Sequence, residues 1–365
     1  MSERFGVYVH VPFCAHRCDY CAFATYADRD HLMEQYVDCV VTEVEWALGE
    51  GMPAASSVFF GGGTPSRLTP EQLLRILDSI PRTDDAEVTV ECNPEDASPK
   101  RLRAYRGGGV NRMSFGVQST QPAVLADLGR RHGTMAHVEV ARRVHDAGFT
   151  TWNMDVIVGS RAETISDVQR TIDDLLGLEH PPPHVSCYAL TPELGTPLGR
   201  DPKRHPDEDH TADAYDLVAS ILERNGYVWE EISNWAQPGH ECRHNHVYWD
   251  HDDYVGFGSA AHSHRDGRRF WNVRTPDRYI EMVRRGERPL GGEETLDYAT
   301  QLFERESLAL RTSRGVPVEA FDSLEEIAHL VRVEDAVVRL APEGRLLANQ
   351  VIIRLKSANA SGNLG

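Results

Sequence analysis

"HVPFCAHRCDYCAFATY", residues 10–26, places Cys14, Cys18 and Cys21 within eight positions at the spacing C-x3-C-x2-C, directly after a predicted strand "FGVYVHV" (5–11). Phe23 stands where a further cysteine would extend the series. Thiolates this close on one loop can converge on one metal centre, and such short separations seldom close as structural disulfides. Ferredoxin-type clusters close every iron with cysteine, whereas three protein ligands leave one iron open to a small molecule. The same logic separates open catalytic zinc sites from closed structural ones. Spacing alone also allows a zinc site completed by His10 or His16, or three unrelated thiols. Cys39, Cys92, Cys187 and Cys242 are scattered, a usage that suits a reducing compartment.

Working outward, 365 residues suffice for one large domain plus something smaller. No run of about 18 apolar residues occurs, and "MSERFGVYVH" lacks the basic and apolar regions of a secretory signal. A cytoplasmic chain without a Sec-type leader is expected. The net charge of −18 disfavours a nucleic-acid partner, because phosphate binding needs local positive charge.

Strand-like runs continue at 57–60, 87–91, 111–117, 152–158 and 184–190. Helical patterns lie between them at 31–48, 70–79, 98–106, 121–147 (read as two helices) and 164–177. Thr69 before Pro70 and Ser98 before Pro99 match an N-cap followed by proline at the first helical position. Six such alternations predict an α/β fold with a parallel sheet and crossover helices, a barrel or part of one; the pattern alone also fits a doubly wound open sheet. After residue 190 a Pro- and Gly-rich stretch predicts a surface loop, followed by a helix (208–225), a strand (227–232) and an aromatic, histidine-rich segment. From about 298 two helices, a turn and a final helix are expected. The domain division is 1–195 for the barrel, 196–295 for an extension, 296–356 for a small, mainly helical C-terminal domain, and 357–365 for a disordered polar tail.

Polar residues near the ends of the predicted strands are candidates for a site, since ligands of parallel barrels lie at the C-terminal edge. They are Glu91, Gln118 and Asp155; singly, each reads equally as a capping or solvent-facing group. Arg130 in "LGRRHG" offers a guanidinium for a carboxylate. "FFGGGTPSRL" (59–68) puts three glycines after the second strand, where backbone can approach a ligand closely or simply turn. "HNHVYW" (244–249) supplies His244, Tyr248 and Trp249 as H-N-x-x-Y-W. A neutral histidine among aromatic rings suits heme iron, although a hydrogen-bonded core histidine fits as well. His246, His251, His262 and His264 are alternative ligands.

C-x3-C-x2-C with Tyr20 before the third cysteine resembles the signature of the radical S-adenosylmethionine (SAM) superfamily. The resemblance implies a partial (β/α)6 TIM-like barrel and a [4Fe-4S] cluster on Cys14, Cys18 and Cys21, with SAM chelating the open iron. The glycine run resembles the superfamily's GGE-type motif, here GGGTP, so that Gly62, Gly63 and Thr64 are expected to hold the SAM amino group. Tyr20, Glu91, Gln118, Arg130, Asp155 and Ala189 match SAM-contacting positions of the porphyrin branch. Tyr8 matches a position that contacts a second SAM in oxygen-independent coproporphyrinogen oxidases, which makes it the catalytic candidate. "EISNWAQPGHECRHNHVYW" (231–249) with "GFGSAAHSH" (256–264) resembles the HemW-type heme chaperones, from about Phe5 to Leu347. That branch implies SAM and heme as ligands, His244 as a heme ligand, a winged-helix-like C-terminal domain, and membrane-bound cytochromes or other heme acceptors as partners. It leaves a dimer and peripheral membrane association open. The oxidases resemble C-x3-C-x2-C-x-C, so Phe23 favours the chaperone side; a coproporphyrinogen III oxidase remains the alternative, and a radical SAM tRNA- or protein-modifying enzyme a third. Two departures from the family pattern are "VGSRAET" (158–164), in place of a Gly-Leu-Pro-type turn, and Ala22 after Cys21.

Overall fold

The computed structural model describes residues 4–357. Six parallel strands form its centre: β1 (Phe5–Val11), β2 (Ala55–Gly62), β3 (Arg82–Cys92), β4 (Arg112–Gln118), β5 (Thr151–Val158) and β6 (His184–Ala189). The crossovers are α1 (Met33–Gly49), α2 (Pro70–Ser79), α3 (Pro99–Gly107), the pair α4 (Pro122–Asp127) and α5 (Ala136–Asp146), and α6 (Ile165–Leu176). The strands neighbour one another in the order 1-2-3-4-5-6. A doubly wound sheet reverses direction at a switch point, so sequential order selects the partial barrel.

Local chemistry explains these elements. β1 is buried on both faces, as parallel strands covered by helices are. Thr69 and Thr164 close reciprocal capping boxes with Gln72 and Asp167 at the starts of α2 and α6. Helix α6 buries Val168, Thr171, Ile172 and Leu175, a stripe at helical spacing.

Helix α7 (Glu208–Arg224) leads into the hairpin β7 (Val228–Glu231) and β8 (Asn234–Ala236), and β8 pairs antiparallel with β6. Helix α8 (Arg243–Trp249) precedes β9 (Asp253–Phe257), which pairs parallel with β1 at the opposite edge. A meander of β10 (His262–Arg265), β11 (Arg268–Asn272) and, after α9 (Pro276–Arg284), β12 (Leu290–Thr295) extends that edge. Buried Glu43 of α1 ties this extension down, accepting bonds from Gly258 N (2.9 Å), Asn272 Nδ2 (2.6 Å) and the Tyr279 hydroxyl (2.6 Å).

The last segment holds α10 (Tyr298–Leu310), a small sheet of β13 (Val316–Pro317), β14 (Val331–Glu334) and β15 (Val337–Leu340), and α11 (Ala348–Ile352). Where the sequence predicts a second helix, the chain makes 3-10 turns at Val318–Ala320 and Glu325–Ile327. Ser323 Oγ takes the Glu325 N–H, a local bond that competes with helix. One contiguous apolar core runs from Phe5 to Leu355. Ser357, the first residue of the expected tail, is buried and bonds Glu306 (2.6 Å); the tail from 358 onward lies outside the described residues. Among the described residues no helix is long and apolar enough to cross a membrane.

Candidate functional site at the strand ends

The cysteine loop leaves β1 and is closed at its base by a bridge between Phe13 and Tyr26, with Cys14 N donating to Tyr26 O (3.0 Å). Cys14 is buried; Cys18 and Cys21 are half-buried. Thr64 Oγ1 donates to Cys14 Sγ and Arg130 Nη1 to Cys18 Sγ, both at 3.5 Å. Burial pushes the Cys14 thiol up, and the neighbouring Cys21 and Cys18 add to the shift. Among the described residues no three His, Cys, Asp or Glu side chains converge as ligands of a single ion would. His10 bonds the Tyr8 hydroxyl (3.1 Å) and Ala24 O (3.0 Å) through its two nitrogens, and His16 bonds Gly129 O (3.2 Å). His10 thus has both ring nitrogens engaged and His16 one, which weakens the zinc site that either would complete.

The loop faces a cavity of about 330 Å³ at the C-terminal edge of the sheet. Cys14, Cys18, Cys21 and Tyr20 line it from the loop; Gly62, Gly63 and Thr64 line it from β2. Glu91, Gln118, Asp155 and Ala189 come from the next four strands, and Arg130 from the turn after α4. Gly62 has φ +105°, and a Cβ there would strike the His10 ring; a Cβ on Gly63 would strike the carbonyls of Val11 and Phe13. The glycines are thus required by the approach of the cysteine loop's base. Gly62 N donates to Glu91 (3.2 Å), Gly63 N to Val11 O (2.8 Å) and Thr64 N to Phe13 O (2.9 Å).

Two carboxyls share this cavity, and neither forms an ion pair among the described residues. Burial first, then the charge of Asp155, push the Glu91 carboxyl up to about 8, opposed by the Gly62 amide. Asp155 is likewise raised by burial, against hydrogen bonds from Asn153 (2.7 Å) and Ser186. Gln118 sits at a bulge with φ 66°, and its Oε1 is buried with no partner among the described residues. Arg130 meets no carboxylate; it donates to Gly116 O (2.6 Å) and Asn93 Oδ1 (3.1 Å) as well as Cys18. Asn93 and Tyr188 also line the cavity and are absent from the sequence candidates. Both stand at strand ends, the signal that singles out Glu91 and Gln118.

Two candidates lie elsewhere. Tyr8 lines a second cavity of about 340 Å³, on the other side of Phe23. His244 is 1% exposed, with Nδ1 bonded to Ser57 (2.9 Å), Nε2 to the Tyr248 hydroxyl (2.8 Å), and its ring stacked on Phe59. Both nitrogens are engaged in the core, where the ring anchors α8 against β2. The N-terminus of α8 is held by Glu87, which accepts the amides of Arg243 (3.1 Å) and His244 (3.0 Å).

The departure at 158–164 has its own bonds. Buried Ser160 donates to Asp127 (2.6 Å), and Arg204 bridges Asp127 (3.1 Å) to Asp19 of the cysteine loop (2.9 Å).

A six-stranded partial barrel with a three-cysteine loop over its C-terminal edge defines a radical SAM protein, and residues 8–175 match the Radical SAM superfamily. Coproporphyrinogen III oxidase (HemN) from Escherichia coli superposes with a TM-score of 0.84 over 96% of this chain and 89% of its own, at 21% identity. Heme chaperone HemW from Mycobacterium tuberculosis is 37% identical over 373 residues, covering 96% of this chain and 94% of the relative. The Bacillus subtilis heme chaperone HemW is 31% identical, covering 95% and 97%. The chain belongs to the HemW family.

Proposed function

We propose that this protein is a heme chaperone that holds a [4Fe-4S] cluster on Cys14, Cys18 and Cys21, binds SAM in the first cavity, and delivers heme to membrane-bound cytochromes from a cytoplasmic or peripheral position. The observation that carries the reading is similarity to heme chaperones along nearly the full length of both chains. The cavity supports the SAM part. Glu91 and Asp155 are half-buried carboxyls awaiting a cation, and SAM brings an ammonium and a sulfonium. The amides of Gly62, Gly63 and Thr64 are committed inside the protein and the Thr64 carbonyl accepts from Arg67 N (2.8 Å), so the Gly63 carbonyl is the acceptor this turn offers an ammonium group. Gln118 Oε1 adds an unused acceptor, and Tyr20 and Ala189 supply wall. Arg130 offsets the charge of the Cys18 sulfur. When bound, such a cluster supplies one-electron reducing power to SAM.

The alternative, an oxygen-independent coproporphyrinogen III oxidase, draws on Tyr8 lining a cavity beside the first. Incubating reduced, anaerobically reconstituted protein with SAM and coproporphyrinogen separates the two. The chaperone reading expects no protoporphyrinogen, and Cys14→Ala to lose the cluster's iron and sulfide while keeping the fold. Sustained, SAM-dependent turnover would overturn it.

A further inference from the structure

The second cavity shares Ala260, His262 and Arg274 with a third, of about 520 Å³, so the two adjoin as one cleft beside the meander. We infer that this double cleft seats the heme, with a ring nitrogen of His262 on the iron and Arg274 and Arg278 on the propionates. The inference rests on the chaperone reading and moves its heme ligand from His244 to His262.

His262 is exposed, and no hydrogen bond engages either of its ring nitrogens among the described residues. Its ring is stacked on Trp271, with centroids 5.6 Å apart at 21°, which fixes the plane and leaves the nitrogens unbonded. His246, His251 and His264 line neither cavity. His246 bonds Glu230 (2.8 Å) and Arg314 (3.1 Å), His251 bonds Glu304 (3.3 Å), and buried His264 contacts Asp252 O (3.3 Å) through Nδ1, its Nε2 having no partner among the described residues. Burial, then the charge of Arg269, lower the pKa of His262, so its imidazole is neutral as an iron ligand must be.

Arg274 and Arg278 form no ion pair among the described residues, in a chain whose net charge is −18. Their neighbours Arg268, Arg269 and Arg288 each pair with a glutamate. Two unpaired guanidiniums on one wall suit two carboxylates of a bound ligand. Tyr8, Tyr248, Tyr254 and Trp271 supply flat apolar surface for a macrocycle. Ala260, at the junction, has φ +58°, a left-handed conformation of the kind retained at binding sites. Phe23, 67% exposed, lines both the first and second cavities and forms an apolar partition between SAM and heme.

The test is a hemin titration of the reconstituted full chain, of His262→Ala, and of the double variant Arg274→Ala/Arg278→Ala, repeated with hemin dimethyl ester. His262→Ala should lose the Soret position of the ligated iron and bind hemin at least about tenfold more weakly. The arginine variant should weaken hemin by about tenfold while leaving the dimethyl ester unchanged. Iron, sulfide and SAM binding in both should match the parent protein, because neither variant touches the first cavity. If the parent protein binds no hemin, the chaperone reading and this inference fall together. If the parent binds hemin and both variants match it in spectrum and affinity, the cleft assignment alone falls. Loss of a second equivalent of SAM in the arginine variant, with hemin unaffected, would assign the cleft to SAM instead.

Discussion

Glu91 is half-buried beside Asp155 with its carboxyl raised to about 8. The unfolded chain ionises this group near 4.5 and the folded, ligand-free chain only near 8, so Glu91 lowers stability progressively as pH rises through that window. A cation placed beside it reverses the preference, and binding then releases a proton. Affinity for SAM in the parent protein should therefore gain on that of Glu91→Gln as pH rises towards 8, by up to about tenfold per pH unit. Equal pH dependence in the two proteins, measured by calorimetry, would remove Glu91 from the SAM site. Glu91, Gln118 and Asp155 were legible as lining residues because parallel strands deliver their C-terminal residues to one edge; Ala189 entered only through the family resemblance. Asn93 and Tyr188 obey the same rule, but in the sequence Asn93 stands two residues beyond the strand-like run 87–91 and Tyr188 two before the end of 184–190. Tyr8 shares its strand face with His10, two residues on, and both line the second cavity. Its place near the cysteines in sequence says nothing of that face.

The long loop at 191–206 reads in sequence as surface, and part of it clamps the cysteine loop. Leu198 is buried in a small apolar cluster under Tyr20 and its amide donates to Asp19 O (3.0 Å), while Arg204 joins Asp19 to Asp127. These groups are partly exposed, so removing the guanidinium costs on the order of 1 kcal/mol, enough to loosen a loop. Arg204→Ala should release its cluster several-fold faster in the presence of an iron chelator, with the unfolding midpoint nearly unchanged; an unchanged release rate would deny the clamp. Ser160, a departure from the family pattern, joins the same network through Asp127. Strands β1 to β6 and their helices were legible from apolar runs and caps. Strands β8 and β10 to β12 were not: they are three to six residues long and added antiparallel at the edges, and β12, "LGGEET", is almost wholly exposed. β12 has no apolar face to bury, and β8 and β10, though partly or wholly buried, are too short for a periodicity to show.

For the whole molecule, alternation of strands and helices could not choose between a barrel and a doubly wound sheet, since both produce the same pattern. The choice depends on strand order, which long-range packing sets. The placement of the extension beyond β1 also has no signature in the sequence, yet it builds the cleft on the far side of Phe23. The resulting protein has a cavity lined by three cysteines and two carboxyls on one side of that ring, and an aromatic, arginine-bearing cleft on the other. The direct test of this arrangement is to purify the protein anaerobically and measure iron, sulfide and bound heme per chain on one sample, before and after adding hemin. The account predicts about four irons and four sulfides before addition, and about one tightly bound heme afterwards with the cluster retained. A full cluster complement in a protein that takes up no heme would contradict it.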